Sequence, residues 1–330
     1  MKRLARYGID GFILAILIAA LAGTVVPATG ASAEIVTWLT RIGIALLFFL
    51  YGTRITPQDA LRGLAHWRLH ITILAITFTL FPLLGILIGQ VPDSLLAPEL
   101  YAGILFLTLL PSTVQASIAF TSIARGNVAA AIVSASASNL LGVLITPLLA
   151  IMLMTSSGHA QIDSSAILGV CLQLLLPFII GQLARPWLAV FLSGHARATR
   201  LADRGSIILV VYAAFSESAR EHVWARVDAG DIMMIIGISI VLLALVLALS
   251  SGIGRMLRFD RADRIVILFA GSKKSLASGL PMAAVMFDGQ ALGMIVLPVM
   301  IFHQIQLITC AIIANRLGHG YEQHEHGSSR

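Results

Sequence analysis

Charge is what this 330-residue sequence has least of: Asp, Glu, Lys and Arg together make up only 12% of it. A water-facing domain carries about twice that share, so a soluble fold is excluded. Cysteine is nearly absent too. Cys171 and Cys310 sit in separate apolar runs, which excludes a disulfide framework or a cysteine metal site. No glycine-rich phosphate loop, nucleophile elbow or His-Glu-x-x-His motif occurs, so no enzymatic chemistry is indicated. What is abundant is apolar surface, with 58% hydrophobic residues and a mean hydropathy of +0.92. Disorder is thereby excluded, and an all-α polytopic membrane protein remains. The net charge of +6 and pI near 9.8 would suggest nucleic acid in a soluble chain. In a membrane protein the same excess reads first as topology.

A bilayer core about 30 Å thick needs roughly 20 apolar residues as helix. Ten segments qualify, at about 8–27, 35–52, 69–90, 100–122, 127–153, 163–184, 205–223, 231–253, 263–287 and 291–315. They are continuously apolar rather than alternating, which predicts helices and not barrel strands. Lys2, Arg3 and Arg6, an apolar run and then Ala31-Ser32-Ala33 also resemble a secretory signal. The symmetry described below needs this first segment, so it is read as a span. Seventeen of the 22 basic residues fall on one side of the resulting topology, and only Arg220 and Arg226 on the other. That bias places both termini in the cytoplasm of an inner, or plasma, membrane. The basic excess marks a membrane face, and no nucleic-acid partner is implied.

Ten spans with both ends on one side divide into five and five of inverted topology, residues 1–154 and 155–317, followed by a tail at 318–330. The fourth span contains Leu110-Pro111-Ser112-Thr113-Val114-Gln115-Ala116-Ser117. The ninth contains Ala270-Gly271-Ser272-Lys273-Lys274-Ser275. Both are apolar helices interrupted midway by Pro or Gly and polar residues, and they hold corresponding places in the two halves. Paired interruptions of this kind point to a central site built from broken helices.

At these segments the chain resembles the bile acid:sodium symporter family, in particular its solute carrier family 10 member 7-like branch. Ala124-Arg125-Gly126-Asn127-Val128-Ala129 carries the likeness after the first break. Pro147 carries it in the next span. Gly254-Arg255, Asp263-Arg264 and Gly271-Ser272-Lys273-Lys274-Ser275-Leu276-Ala277 carry it around the second break. The resemblance covers roughly residues 8–316. It implies a core (spans 3–5 and 8–10) with two crossing broken helices, and a panel (spans 1, 2, 6 and 7). Substrate would bind between the two, with sodium beside the crossing and near Ser117. The family's ligand positions fall on Ser117 and Ile118, on Ala131 and Ala135, on Phe269, on Lys273 and Lys274, and on Thr77. Only Ser117 keeps its type.

Lys273 and Lys274 stand near the bilayer midplane, where each costs roughly 2.5–3.5 kcal/mol on an insertion scale. Two roles are open: Lys273 takes the place of the lost cation, or one or both lysines bind an anionic substrate beside a half-helix N-terminus. Adjacent helical residues point about 100° apart, so the pair is not expected to share one job. The candidate site comprises Ser112, Thr113, Gln115, Ser117, Asn139, Ser272, Lys273, Lys274, Ser275, His303, Gln304 and Gln306. His303 is read as a proton carrier or as a histidine satisfied by its neighbours. Ser134 and Ser138 share one face of span five, as packing residues or ligands. Arg41 and Glu217 are charges within apolar segments and are expected to form an ion pair. His66 and His70 lie beside Arg62 and Arg68 and are read as interfacial. His319, His324, Glu325 and His326 are read as a disordered tail.

Together these features predict an alternating-access secondary transporter of a small organic anion. It would be sodium-coupled by resemblance, or sodium-independent or proton-coupled with Lys273 in the cation's place. A non-transporting membrane regulator or scaffold is the alternative from another class. No cofactor beyond a sodium ion is expected, and the bilayer is the evident partner.

Overall fold

The computed structural model describes residues 11–54, 66–92, 96–156, 171–220, 228–287 and 290–328. Lys2, Arg3, Arg6, Arg62, Arg226 and Arg330 lie outside these. Every described element is a helix. The first is α1 (Gly11–Val25), followed by α2 (Ala31–Arg54). α3 (Trp67–Ala75) passes through a π-helical turn (Ile76–Leu80) into α4 (Phe81–Ile88). α5 (Pro98–Leu109), α6 (Val114–Ile123) and α7 (Val128–Ser156) follow. A second π turn (Cys171–Leu175) leads into α8 (Leu176–Gly194), then α9 (Ala196–Arg220) and α10 (Ala229–Met256). The chain ends with α11 (Arg261–Gly271), α12 (Leu276–Met286) and α13 (Gln290–Ser328).

Local chemistry sets the boundaries. Asp228 and Asp231 form a reciprocal capping box at the start of α10, and Asp260 caps α11. Each π turn stands directly before an apolar residue and a proline, Phe81-Pro82 and Leu176-Pro177. Proline lacks an N–H and crowds the preceding turn, and widening the helix relieves both problems.

Helices stand at all ten predicted segments. Among the described residues, five are long and apolar enough to cross a membrane: Ala31–Thr53, Trp67–Ile88, Val128–Met154, Ala229–Met256 and Leu292–His319. The pair α5 and α6, bent by 62° at its break, makes six. The first and sixth segments are present as shorter apolar helices, Leu14–Val25 and Leu172–Leu188. α9 carries Arg197, Arg200, Asp203 and Arg204 in its first turns, and two lysines interrupt the ninth segment. The segment read as a disordered tail is instead helical, because α13 continues through Ser328. Gly318 does not end it. A Cβ there would lie 2.4 Å from the Ile123 carbonyl oxygen, so glycine is needed for α13 to pass the end of α6.

The outside is apolar, as a lipid-facing surface requires: Leu21, Trp38, Ile71, Leu148, Leu183 and Trp187 are all exposed. α5 is the innermost helix, with every residue from Leu100 to Leu110 buried. α2 packs against α8 through glycine on both sides. A Cβ on Gly52 would lie 2.2 Å from Phe178 O, and one on Gly181 would lie 2.1 Å from Phe49 O. The backbones therefore touch, as small residues allow in membranes. α9 lies along α1 and α2, with Ser216 Oγ receiving the Ala28 N–H and Ser206 against Gly43.

Candidate functional site

A helix that stops inside a bilayer leaves carbonyls with no N–H to accept from, and in lipid each must find a partner. The α5–α6 and α11–α12 breaks solve this for each other. Ser112 Oγ donates to Ala270 O (2.6 Å) and Ser117 Oγ to Phe269 O (3.2 Å), so residues of the first break cap the last carbonyls of α11. Ser272 Oγ caps Leu268 O of the same helix. In return the Ser275 N–H donates to Pro111 O (2.8 Å). The Ser112 N–H donates to Ser138 Oγ (3.1 Å), and Thr146 Oγ1 donates to Leu109 O (2.8 Å), which ties both to α7.

Lys274 completes the arrangement. Its ammonium donates to Thr77 O (2.8 Å), Thr108 O (2.7 Å) and Leu110 O (2.8 Å), and lies 4.1 Å from the centre of the Phe81 ring. An ammonium has three donors, and all three are used. The acceptors are the ones that chain geometry orphans. In the widened turn Phe81 N–H bonds to Ile76 O, so the next carbonyl, Thr77 O, faces Pro82, which has no N–H. Thr108 O would receive the Ser112 N–H in a continuous helix, but that group has gone to Ser138. Leu110 is already extended, beyond the end of α5.

Gln306 holds the lysine's own peptide from α13. Its Oε1 accepts the Lys274 N–H (2.9 Å) and its Nε2 donates to Lys274 O (2.8 Å). Nε2 also donates to His303 Nδ1 (2.9 Å), which therefore carries no proton on that nitrogen. Lys273 points elsewhere. Its ammonium lies 4.2 Å from the Phe120 ring centre and 4.7 Å from that of Phe269, with Ala116 O at 3.4 Å. Both lysines are buried, at 0% and 1% exposure. They do separate jobs, and the one enclosed by oxygen is Lys274 rather than Lys273.

Of the other expected residues, Thr113 is buried with its hydroxyl 3.3 Å from Ser117 Oγ. Ser275 caps α12 by accepting the Ser278 N–H, and Ser278 Oγ donates to Asn139 Oδ1 (2.6 Å). Gln115 is exposed and Gln304 half-buried. The structure gathers Ser112, Ser117, Ser272, Lys274, Ser275 and Gln306 at the crossing, with Asn139 and His303 at its rim. Sequence reasoning missed the carbonyls of Thr77, Thr108 and Leu110, which have no side-chain signature, and the rings around the lysines. It also read His70 as interfacial. His70 is buried, and its Nδ1 lies 2.7 Å from Ser134 Oγ. Nearby, Asn127 Nδ2 donates to Asp263 (2.9 Å).

Arg41 is exposed, with its guanidinium over the Trp38 ring at 5.6 Å, and Glu217 is half-buried. The Ala28–Ser216 and Gly43–Ser206 contacts make α2 and α9 antiparallel.

Sodium fits the crossing poorly. A hard cation wants several free oxygens and some negative charge. No carboxylate is among the residues gathered there, and Phe269, Ala131 and Ala135 stand at expected ligand positions. The Ser112 and Ser117 hydroxyl protons are directed at the carbonyls that would otherwise ligate it. The remaining carbonyl cage holds Lys274.

A profile of the SBF-like CPA transporter family matches residues 10–319. Curated relatives run nearly the full length. "Uncharacterized protein PA2026" of Pseudomonas aeruginosa is 47% identical, over 93% of this chain and 92% of that one. "Putative symporter YfeH" of Escherichia coli is 44% identical over 96% and 95%. "Sodium/bile acid cotransporter 7" of Rattus norvegicus is 25% identical over 95% and 94%.

Proposed function

Because this chain belongs to the SBF-like CPA transporter family and is a membrane transporter, we propose that it carries a small organic anion by alternating access, with the Lys274 ammonium doing the work of a bound cation. The observation that carries this reading is the set of three carbonyls, at 2.7–2.8 Å, around Lys274 Nζ. A tethered cation there satisfies the orphaned oxygens of the crossing without an ion from solution. In this reading the helices form ten spans in two inverted halves, with both termini on the cytoplasmic side of the inner membrane. Spans 3–5 and 8–10 move as a core against a panel of spans 1, 2, 6 and 7.

An anionic substrate follows from charge balance. Two lysine side chains are buried at the crossing, and none of the groups they contact among the described residues is a carboxylate. The half-helices α6 and α12 both begin at the breaks, where N-terminal partial positive charge favours anions. Ser112, Thr113, Gln115, Ser117, Asn139, Ser272, Lys273, Ser275, His303, Gln304 and Gln306 would surround the route.

The relatives named sodium/bile acid cotransporter 7 support a second reading, sodium-driven symport. Uptake of labelled bile salts and small carboxylates into proteoliposomes, with sodium or with choline outside, separates the two. Equal uptake in choline is the expected result. Uptake that requires sodium would overturn the tethered-cation reading and favour symport. No flux under any gradient would favour a non-transporting regulator.

A further inference from the structure

Away from the crossing, a cavity of about 320 Å³ opens between the C-terminal end of α6 and the late turns of α13. It is lined by Ser122, Ile123, Arg125, Asn315, Gly318 and His319. We propose that it binds the phosphate of an anionic phospholipid headgroup. The site is distinct from the transport route, and the proposal rests only on this arginine-rich end lying at the membrane surface.

Three observations carry it. The first is how the carbonyls around the cavity are taken up. Arg261 reaches across to donate to Ala124 O (3.4 Å), Arg125 O (3.3 Å) and Leu317 O (3.0 Å). It thereby takes up the carbonyls that end α6 and would otherwise repel an anion. His319 Nδ1 donates to Asn315 O (2.7 Å), which fixes the ring at the cavity's edge. The second is the backbone of Arg125, which holds a left-handed conformation (φ 57°). Glycine adopts that conformation freely and arginine does not, so the side chain is kept there against a conformational cost.

The third is the face of α13 below the cavity. Ile308, Ile312, Asn315 and His319 follow at intervals of four, three and four residues, so they share one helix face. Ile308 and Ile312 are 41% and 51% exposed, and Ile123 of α6, which lines the cavity, is 43% exposed. The stripe is apolar toward the bilayer and becomes polar and basic at its edge. Acyl chains followed by a phosphate present the complementary profile, as in basic interhelical pockets that hold anionic headgroups.

The test uses the full-length protein purified in neutral detergent and titrated with phosphatidylglycerol or with phosphatidylcholine of the same chains, read by native mass spectrometry. Arg125→Asn removes the charge but tolerates the left-handed backbone. His319→Gln alters an independent, exposed residue, and Arg316→Gln on the same helix lies off the cavity and serves as control. Phosphatidylglycerol should bind the wild type in preference to phosphatidylcholine. Arg125→Asn should weaken it about fivefold, the effect of one basic residue near an anionic surface, and His319→Gln should weaken it as well. Arg316→Gln should bind as wild type does. Unchanged phosphatidylglycerol binding in both cavity variants would overturn the proposal. So would binding of inorganic phosphate without lipid preference, which would make the ligand a soluble phosphate.

Discussion

Replacing Lys274 with methionine keeps most of the side chain's length and volume but removes all three N–H donors. Hydrogen bonds from a charged group contribute about 1.5–3 kcal/mol each, so the three carbonyl bonds represent roughly 4.5–9 kcal/mol of stabilisation. Burying the ammonium costs several kcal/mol of this. The net loss expected for Lys274→Met is about 3–5 kcal/mol, the range seen when one partner of a buried charged contact is removed. For a chain of this length that corresponds to a melting temperature roughly 6–10 °C lower, at about 2 °C per kcal/mol. The measurement is thermal unfolding in detergent, followed by size-exclusion chromatography of heated samples. A companion variant, Lys274→Ala, opens the cage, and sodium or methylammonium added at millimolar concentration should recover part of the lost stability. Lys274→Met that melts as wild type, together with Lys274→Ala that transports normally in choline, would refute the argument that this ammonium stands in for a cation.

Gln306→Leu removes both bonds to the Lys274 peptide inside a fully buried site. It should destabilise by about 2–6 kcal/mol, at about 1–3 kcal/mol for each buried group left unpaired, and slow uptake more than binding. His70→Ala and Ser134→Ala should show a coupling of about 0.5–1.5 kcal/mol in a double-mutant cycle; strict additivity would remove that contact from the account. Gly181→Ala should cost about 1–3 kcal/mol by overpacking, because its Cβ would meet the Phe49 carbonyl oxygen at 2.1 Å. A double-mutant cycle on Arg41→Ala and Glu217→Ala tests the expected ion pair: a coupling above about 0.5 kcal/mol supports it, and additivity within that margin removes it.

How far the site could be read from sequence depended on what kind of group was involved. The two interruptions were legible because proline, glycine and clustered hydroxyls stand out in an apolar run, and Ser112, Ser117, Lys274 and Ser275 do meet there. Choosing between Lys273 and Lys274 was beyond sequence. Adjacent residues differ by direction alone, and direction follows from where each helix stops. The oxygens that meet Lys274 belong to backbones at positions 77, 108 and 110, and every residue type carries the same carbonyl. His70 looked interfacial because arginines flank it in sequence, yet the turn of α3 directs it inward to Ser134. The tail looked disordered from its composition, but a helix already under way needs no new nucleus to continue.

Composition and periodicity alone determined that this chain is helical and belongs in a bilayer, because scarce charge and long apolar runs admit little else. They also located the two broken helices. Tertiary structure alone decided which orphaned carbonyl is capped by which side chain, and so which lysine the carbonyls enclose. The physical reason is that hydrogen-bond demand at a helix break is set locally, while the groups that meet it arrive from α3, α5, α7 and α13, distant in sequence and joined only by packing.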